Sequence, residues 1–345
     1  MTRLTVPLRA CVFVGVLLAA LIAGQAAAAS MEEDGCRNEP SPAIRVVYCT
    51  KLIQSGQLAG GKLAWAYVNR GKAYRQQKKY DLAMADFSSA LTLAPNDAEA
   101  FFERGVVYLF RKDYGRAIAE CDAGIRLRPD VASLWNNRGI AYDDLGQHER
   151  AIQDYNEAIR LDPKGYEALN NRGQAYRDLR QYDLAIQDYD AALSLKPDYI
   201  LALRNRAHAY QNSGQYEQAL ADFSSLVQKN PNDAIALNSR CWTLVSMHRA
   251  REALGDCDRS LSLKPKAYTF DSRGFAHLQL GDLAAAIADF DKAIELDPKT
   301  ASSLFGRGKA EEGQGDKLAA ARDYAAARAI RSDIEAYLVR QHVLP

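Results

Sequence analysis

From about residue 62 onward, apolar and polar residues alternate with helical spacing, and the whole pattern returns after 34 residues. The stretch Ala168 to Pro197, ALNNRGQAYRDLRQYDLAIQDYDAALSLKP, holds one copy. It predicts two amphipathic helices, a polar break near Arg180 and a closing proline. Prolines at 95, 129, 163, 197, 231 and 265 keep the 34-residue spacing, and Pro298 follows after 33. A fixed period of this length predicts a helical solenoid with one helix pair per copy.

Numbering each copy so that the proline is position 32 exposes the columns. Position 8 is small throughout: Gly71, Gly105, Gly139, Gly173, Ala207, Cys241, Gly274 and Gly308. Position 20 is alanine in all eight copies, from Ala83 to Ala320, and position 4 is always large and apolar. Position 11 is tyrosine in the first five copies, Tyr74 to Tyr210. Small residues at 8 and 20 let two antiparallel helices approach closely, while bulky residues at 4, 11 and 24 fill the gaps. Gly146, Gly214, Gly281 and Gly315 occupy position 15, where the first helix must end in a left-handed residue. The residue missing from copy seven falls before Arg273, in the turn leading into that copy's first helix.

These columns resemble the tetratricopeptide repeat family over roughly Lys62 to Ile330. The resemblance implies an all-α, right-handed superhelical solenoid of eight antiparallel helix pairs with terminal capping helices. The expected boundaries are a signal peptide over 1–29, and a linker with a capping helix over 30–63. Eight repeats follow over 64–331, then a second capping helix over 332–345. The first cap is expected as a helix over Ala43 to Ser55 after a linker, Asp34 to Pro42. The last is expected over Asp333 to His342, more polar than a repeat helix.

Two columns carry charge. Position 7 is arginine in all eight copies: Arg70, Arg104, Arg138, Arg172, Arg206, Arg240, Arg273 and Arg307. Position 23 is acidic in all eight: Asp86, Glu120, Asp154, Asp188, Asp222, Asp256, Asp289 and Asp323. In a pair turning near position 15 these two stand at one height. That favours an Arg–carboxylate ladder within or between repeats over an arginine stripe for an acidic polymer, because the acids cancel the stripe.

The resemblance also implies that the first helices line a concave surface, exposing positions 2, 5, 6, 9, 12 and 13. Asparagines recur there: Asn69, Asn137, Asn171 and Asn205 at position 6, Asn136 and Asn170 at position 5. Gln174, Arg177, Arg204 and His208 complete a polar set. An amide both donates and accepts, so a stack of asparagines could hold an extended peptide backbone; equally, NNRG could merely start and solvate the helix. Two apolar groups flank this middle. Phe102, Val106, Leu109, Phe110 and Ile140 form one, and Trp242, Val245, Phe275 and Leu278 the other. They read as partner contacts, unless the superhelix closes over them or the last helix folds back. The carboxylate clamp of chaperone cofactors, which the family resemblance brings up, is not rebuilt, since copy one has Val68 and Lys72 at positions 5 and 9.

The remaining features set the context. Arg3 and Arg9, the apolar run Ala10 to Gly24 and the small residues Ala26 to Ala29 fit an export signal cleaved before about Ser30. An uncleaved membrane anchor is the competing reading. Five of the six cysteines follow that segment, and Cys36 with Cys49, and Cys241 with Cys257, are placed to form disulfides. Cys121 replaces an aromatic at position 24 and reads as a buried thiol. A net charge of +1 argues against a nucleic-acid binder. No nucleophile, metal or phosphate-loop motif is present, so no enzyme, cofactor or metal is expected. The expected function is a scaffold in the bacterial envelope that binds a protein or extended peptide. Self-assembly through the apolar groups is the alternative, followed by an enzyme accessory subunit.

Overall fold

The computed structural model describes residues 30–344. The expected signal segment lies outside them. Among the described residues every regular element is a helix, and the chain divides into two compact units, with the boundary in the sequence between Pro163 and Lys164.

The first unit opens with a helix described over residues 30–38, α1, followed by α2 (Pro42–Gln54). The expected linker is therefore largely helical. Its helix is held by i,i+4 pairs, Arg37 to Glu33 and Asn38 to Asp34, and by the Cys36–Cys49 disulfide, which joins α1 to α2. The bridge sits in a small core with Leu52, Tyr48, Leu58 and Trp65, and the Arg37 guanidinium lies 4.6 Å from the Trp65 ring centre. Copies one to three follow as α3 (Gly60–Gln76) with α4 (Tyr80–Leu93), α5 (Ala98–Phe110) with α6 (Tyr114–Leu127), and α7 (Ala132–Asp144) with α8 (His148–Leu161).

The second unit holds copies four to eight. These are α9 (Tyr166–Asp178) with α10 (Tyr182–Leu195), α11 (Ile200–Asn212) with α12 (Tyr216–Lys229), and α13 (Ala234–Ser246) with α14 (Ala250–Leu263). Then come α15 (Ala267–Gln279) with α16 (Leu283–Leu296), α17 (Ala301–Gln314) with α18 (Lys317–Ile330), and a last short helix, α19 (Ile334–Arg340).

One steric rule sets the spacing within a pair: the residue at position 8 faces the one at position 24. A Cβ on Gly139 would lie 2.6 Å from the Tyr155 ring, and one on Gly274 would lie 2.7 Å from Phe290. The ring fills the space the missing side chain leaves. In copy six the same two positions are Cys241 and Cys257, joined as a disulfide with Cα atoms 5.6 Å apart. The alanines of position 20 are buried in all eight copies, as close packing of two helices requires.

The Arg–carboxylate ladder is complete. Arg138 bonds both carboxylate oxygens of Asp154, at 2.8 and 2.7 Å, and the same fork recurs from Arg70–Asp86 to Arg307–Asp323. Copy two uses Arg104 and Glu120, 2.9 Å apart. Four of these arginines also bond a carboxylate of the preceding copy: Arg138 to Asp122, Arg206 to Asp190, Arg273 to Asp258 and Arg307 to Asp291. These bonds push the arginine pKa values above normal, against the desolvation that would lower them. The ladder thus ties helices within a copy and copy to copy.

At position 15 the four glycines take φ of 73 to 92°. In the other copies Lys78, Lys112, Arg180 and His248 hold the same left-handed turn at φ 56 to 59°. The residue missing from copy seven comes out of the turn before α15. There Lys266 enters the helix from an extended conformation, φ −140°.

Candidate partner-binding face

Positions 2 and 13 of the first helices are exposed in most copies, whereas position 5 is buried at Val68, Asn170, Asp271 and Phe305. Position 6 is buried more often still. Asn137, Asn205, Glu103, Ser239 and Ser272 are all buried at this position, because it packs on the first helix of the preceding copy. The Asn205 amide donates to the Asn170 side-chain oxygen at 3.0 Å, and Asn170, which is 0% exposed, in turn donates to Asn171 at 3.3 Å. Asn69 donates to the Trp65 carbonyl within its own helix. The expected peptide-holding ladder is corrected at these positions: Asn137, Asn170 and Asn205 are buried, and the Asn205–Asn170 bond joins one copy to the next. Half-buried Asn136 and Asn171 remain at the rim.

The cationic members of the polar set have intramolecular partners. Arg204 bonds Asp233 at 2.7 Å, and Arg177 bonds its neighbour Asp178 at 2.9 Å. His208 packs edge-on against Phe223, with ring centres 5.1 Å apart, and burial lowers its pKa, favouring the neutral imidazole. Gln174, half-buried, lies on the same face. This leaves little net charge to attract a ligand.

The first apolar group is open. Phe102, Val106, Leu109 and Ile140 are half-buried on α5 and α7, and Phe110 is 59% exposed. Phe110 stacks on Tyr80 of the preceding copy, with ring centres 5.7 Å apart and planes 17° from parallel. Tyr80 was not legible as part of this face, since it opens a second helix. Beside the group Arg75 bonds the buried Glu103 at 2.8 Å, and Lys72 bonds Glu99 at 2.7 Å.

The second apolar group is closed, and the expectation of partner contacts there is corrected. Phe275 is 0% exposed, Leu278 and Val245 are buried and Trp242 is half-buried. They share one core with Ile334, Leu338 and Val343 of the last segment. The polar cap expected over Asp333 to His342 is thus an apolar plug. Its signal was the spacing of those three residues, hidden by the charged ones between them. Next to it lies a cleft of about 560 Å3 whose wall includes Asp271, Ser302, Ile334 and Tyr337. Asp271 accepts from Ser303 at 2.6 Å and Ser302 at 3.0 Å, and its burial raises its pKa to about 6. Cys121, elsewhere, is a buried free thiol pushed up to about 12 by desolvation, which leaves it unreactive.

Comparison with known proteins agrees with this geometry. Models described as tetratricopeptide repeat match residues 64–97, 136–200 and 200–233, and one described as TPR repeat matches 274–315. The Hsp70-Hsp90 organizing protein of Triticum aestivum is 44% identical over 54 residues, 15% of this chain and 9% of that protein. The chain therefore spans under a tenth of the length of this curated relative. A tetratricopeptide repeat protein from Parabacteroides merdae superposes with a TM-score of 0.54 at 21% identity, over 72% of this chain and 98% of that one. A chain of the APC/C hetero-tetramer Cut9-Hcn1 superposes with a TM-score of 0.56 at 15% identity, over 90% of this chain and 64% of that one. These structures share the fold. Among the described residues, no helix is long and apolar enough to cross a membrane.

Proposed function

We propose that this chain, which belongs to the tetratricopeptide repeat family, is a non-enzymatic scaffold of the bacterial cell envelope whose open face in copies two and three holds a protein or extended peptide. The observation that carries the reading is Phe110, a large aromatic left 59% exposed at the rim of four half-buried apolar neighbours. A side chain so placed costs solvation in the free protein and gains most when a partner covers it. The paired charges around it leave binding to shape and apolar contact. Hydrophobic partners of little net charge suit it best.

The envelope location is supported by the apolar segment after Arg9 and by two disulfides, which persist in oxidising compartments. Cross-linking in envelope extract tests the binding role. Phe102→Ala with Phe110→Ala should lower capture of the partner at least about tenfold, since two aromatic anchors are lost. Undiminished capture by a folded double variant would remove the site. The location is tested separately by sequencing the N-terminus of the chain from fractionated cells. A chain beginning at residue 1 in the cytosol counts against export.

A further inference from the structure

The last segment packs into the core of the second unit. From Arg331 it turns back across the first-helix face, and three of its apolar residues, Ile334, Leu338 and Val343, are buried to 1% exposure or less, while Val339 is 58% exposed. Its backbone is received as well as its side chains. The Gln279 amide donates at 3.0 Å to the Val343 carbonyl, and also at 3.0 Å to the Val245 carbonyl of the groove wall. The Tyr216 hydroxyl donates at 3.4 Å to the Arg340 carbonyl, and the Tyr216 ring meets His342 edge-on with centres 5.6 Å apart. Receptor side chains from α12 and α15 thus read main-chain carbonyls at two points, and the floor of Trp242, Phe275 and Leu278 reads the side chains. Such a division of labour is how grooves recognise short amphipathic helices.

We propose that the groove of copies five to eight, whose core joins Leu304 and Phe305 to Ile334 and Leu338, is a docking site for an amphipathic helix with a short extended tail, and that residues 334–344 fill it as an intramolecular ligand. The partner this groove fits carries buried apolar anchors at i, i+4 and i+9, as in Ile334, Leu338 and Val343. The occupant is built to exchange. A helix of seven residues has no stability of its own in water, so α19 is helical because the groove holds it. Its tether, residues 331–333, is short, so the segment competes as if present at about millimolar concentration. A free partner segment binds only when it outcompetes the tethered one or when the tethered one is displaced. This site is separate from the open face of copies two and three, and its test does not depend on that face.

The test uses a fluorescein-labelled peptide of residues 331–345 as probe. Fluorescence anisotropy should show saturable binding to a chain ending at Arg331, and at least about tenfold weaker binding to the full chain, as tethered competition requires. The same peptide carrying Leu338→Asp should not bind. The full chain carrying Leu338→Asp gives a second receptor, with its groove vacated but its length kept. Hydrogen exchange of the unaltered chain adds a readout that needs no variant. Amides of 334–343 should exchange at least about tenfold faster than those of α17, reporting local release. Failure of both folded receptors to bind, equal binding by the full chain, or exchange of α19 in step with α17 would each overturn the proposal.

Discussion

Positions 9 and 12 carry apolar side chains in copy two and again in copies six and seven, yet only the second set is covered. Phe110 is 59% exposed on its helix, whereas Phe275 is 0% exposed on the equivalent helix of copy seven. The repeat columns are alike in both places, so the repeat itself does not decide which face is free. What decides it is a segment outside the repeats. The covered face also has a deeper aromatic floor, in which Phe275 meets Trp242 and Phe290 edge-on with ring centres 5.8 and 5.1 Å away. A covered face contributes to stability, and an open one is kept for binding.

The sharpest way to break this comparison is to truncate the same residue type on each side. Phe275→Ala should destabilise the second unit by about 3–5 kcal/mol, the range for a buried Phe. Phe110→Ala should cost the free protein less than about 1 kcal/mol, because much of its ring is already in water. Urea midpoints of the two variants measure both. Similar losses would mean that Phe110 is covered in solution, and the distinction between the faces would fall.

The pair of positions 8 and 24 offers the next test. Copy six closes it with Cys241–Cys257, whereas in copy two Gly105 faces the free Cys121, and a Cβ on Gly105 would lie 3.6 Å from its sulfur. Replacing both Cys241 and Cys257 by serine should cost about 2–4 kcal/mol, as expected for a bridge closing a loop of this size. Gly105→Cys should create the matching bridge in copy two, seen as loss of the Cys121 thiol under denaturing, unreduced conditions. A persisting thiol would show that copy two cannot take the geometry of copy six.

The fold was legible because its cause is periodic. A glycine opposite a ring, an alanine at each close approach and an arginine level with a carboxylate each recur at 34-residue spacing, and each recurrence constrains the same packing. The site was legible only in part. The columns separate the asparagines of NNRG from the arginine and the glycine, but Asn170 and Asn205 bond each other across copies. Which first-helix positions lie buried between copies depends on the angle at which neighbouring pairs pack, and spacing within one copy does not contain it. The plug was harder still, because Ile334, Leu338 and Val343 belong to no column.

Asp271 gives a smaller and pH-dependent contrast. It stands at position 5 of copy seven, where copy two has Phe102 and copy three has Asn136. Burial raises its folded pKa to about 6 from 3.8, so between those values the folded state holds a proton that the unfolded state has released. Stability from this group is therefore present below about pH 4 and is lost as pH rises through about 6. Asp271→Asn should lack that loss, standing on the order of 1–3 kcal/mol better against the parent at pH 7 than at pH 4. Urea midpoints of both proteins across this range test it. A difference that does not change with pH would mean the carboxylate titrates normally.

The smallest effects should come from the turns that join the two helices of each copy, and they ask whether the open unit is also the more strained. Copy two turns at Lys112 with φ 58°, and copy seven turns at Gly281 with φ 78°. A side chain in this region meets its own carbonyl oxygen, at a cost of about 1 kcal/mol that glycine escapes. Glycine returns part of that gain, because it loses more conformational freedom on folding. Lys112→Gly should therefore stabilise by no more than about 1 kcal/mol, and Gly281→Ala should destabilise by about 1 kcal/mol or slightly more. Thermal midpoints of the pair read both signs. If Lys112→Gly instead lowers the midpoint, the lysine side chain contributes more at that turn than its backbone strain costs. The basic residues beside Phe110 would then belong to the fold, leaving the apolar face alone to meet a partner.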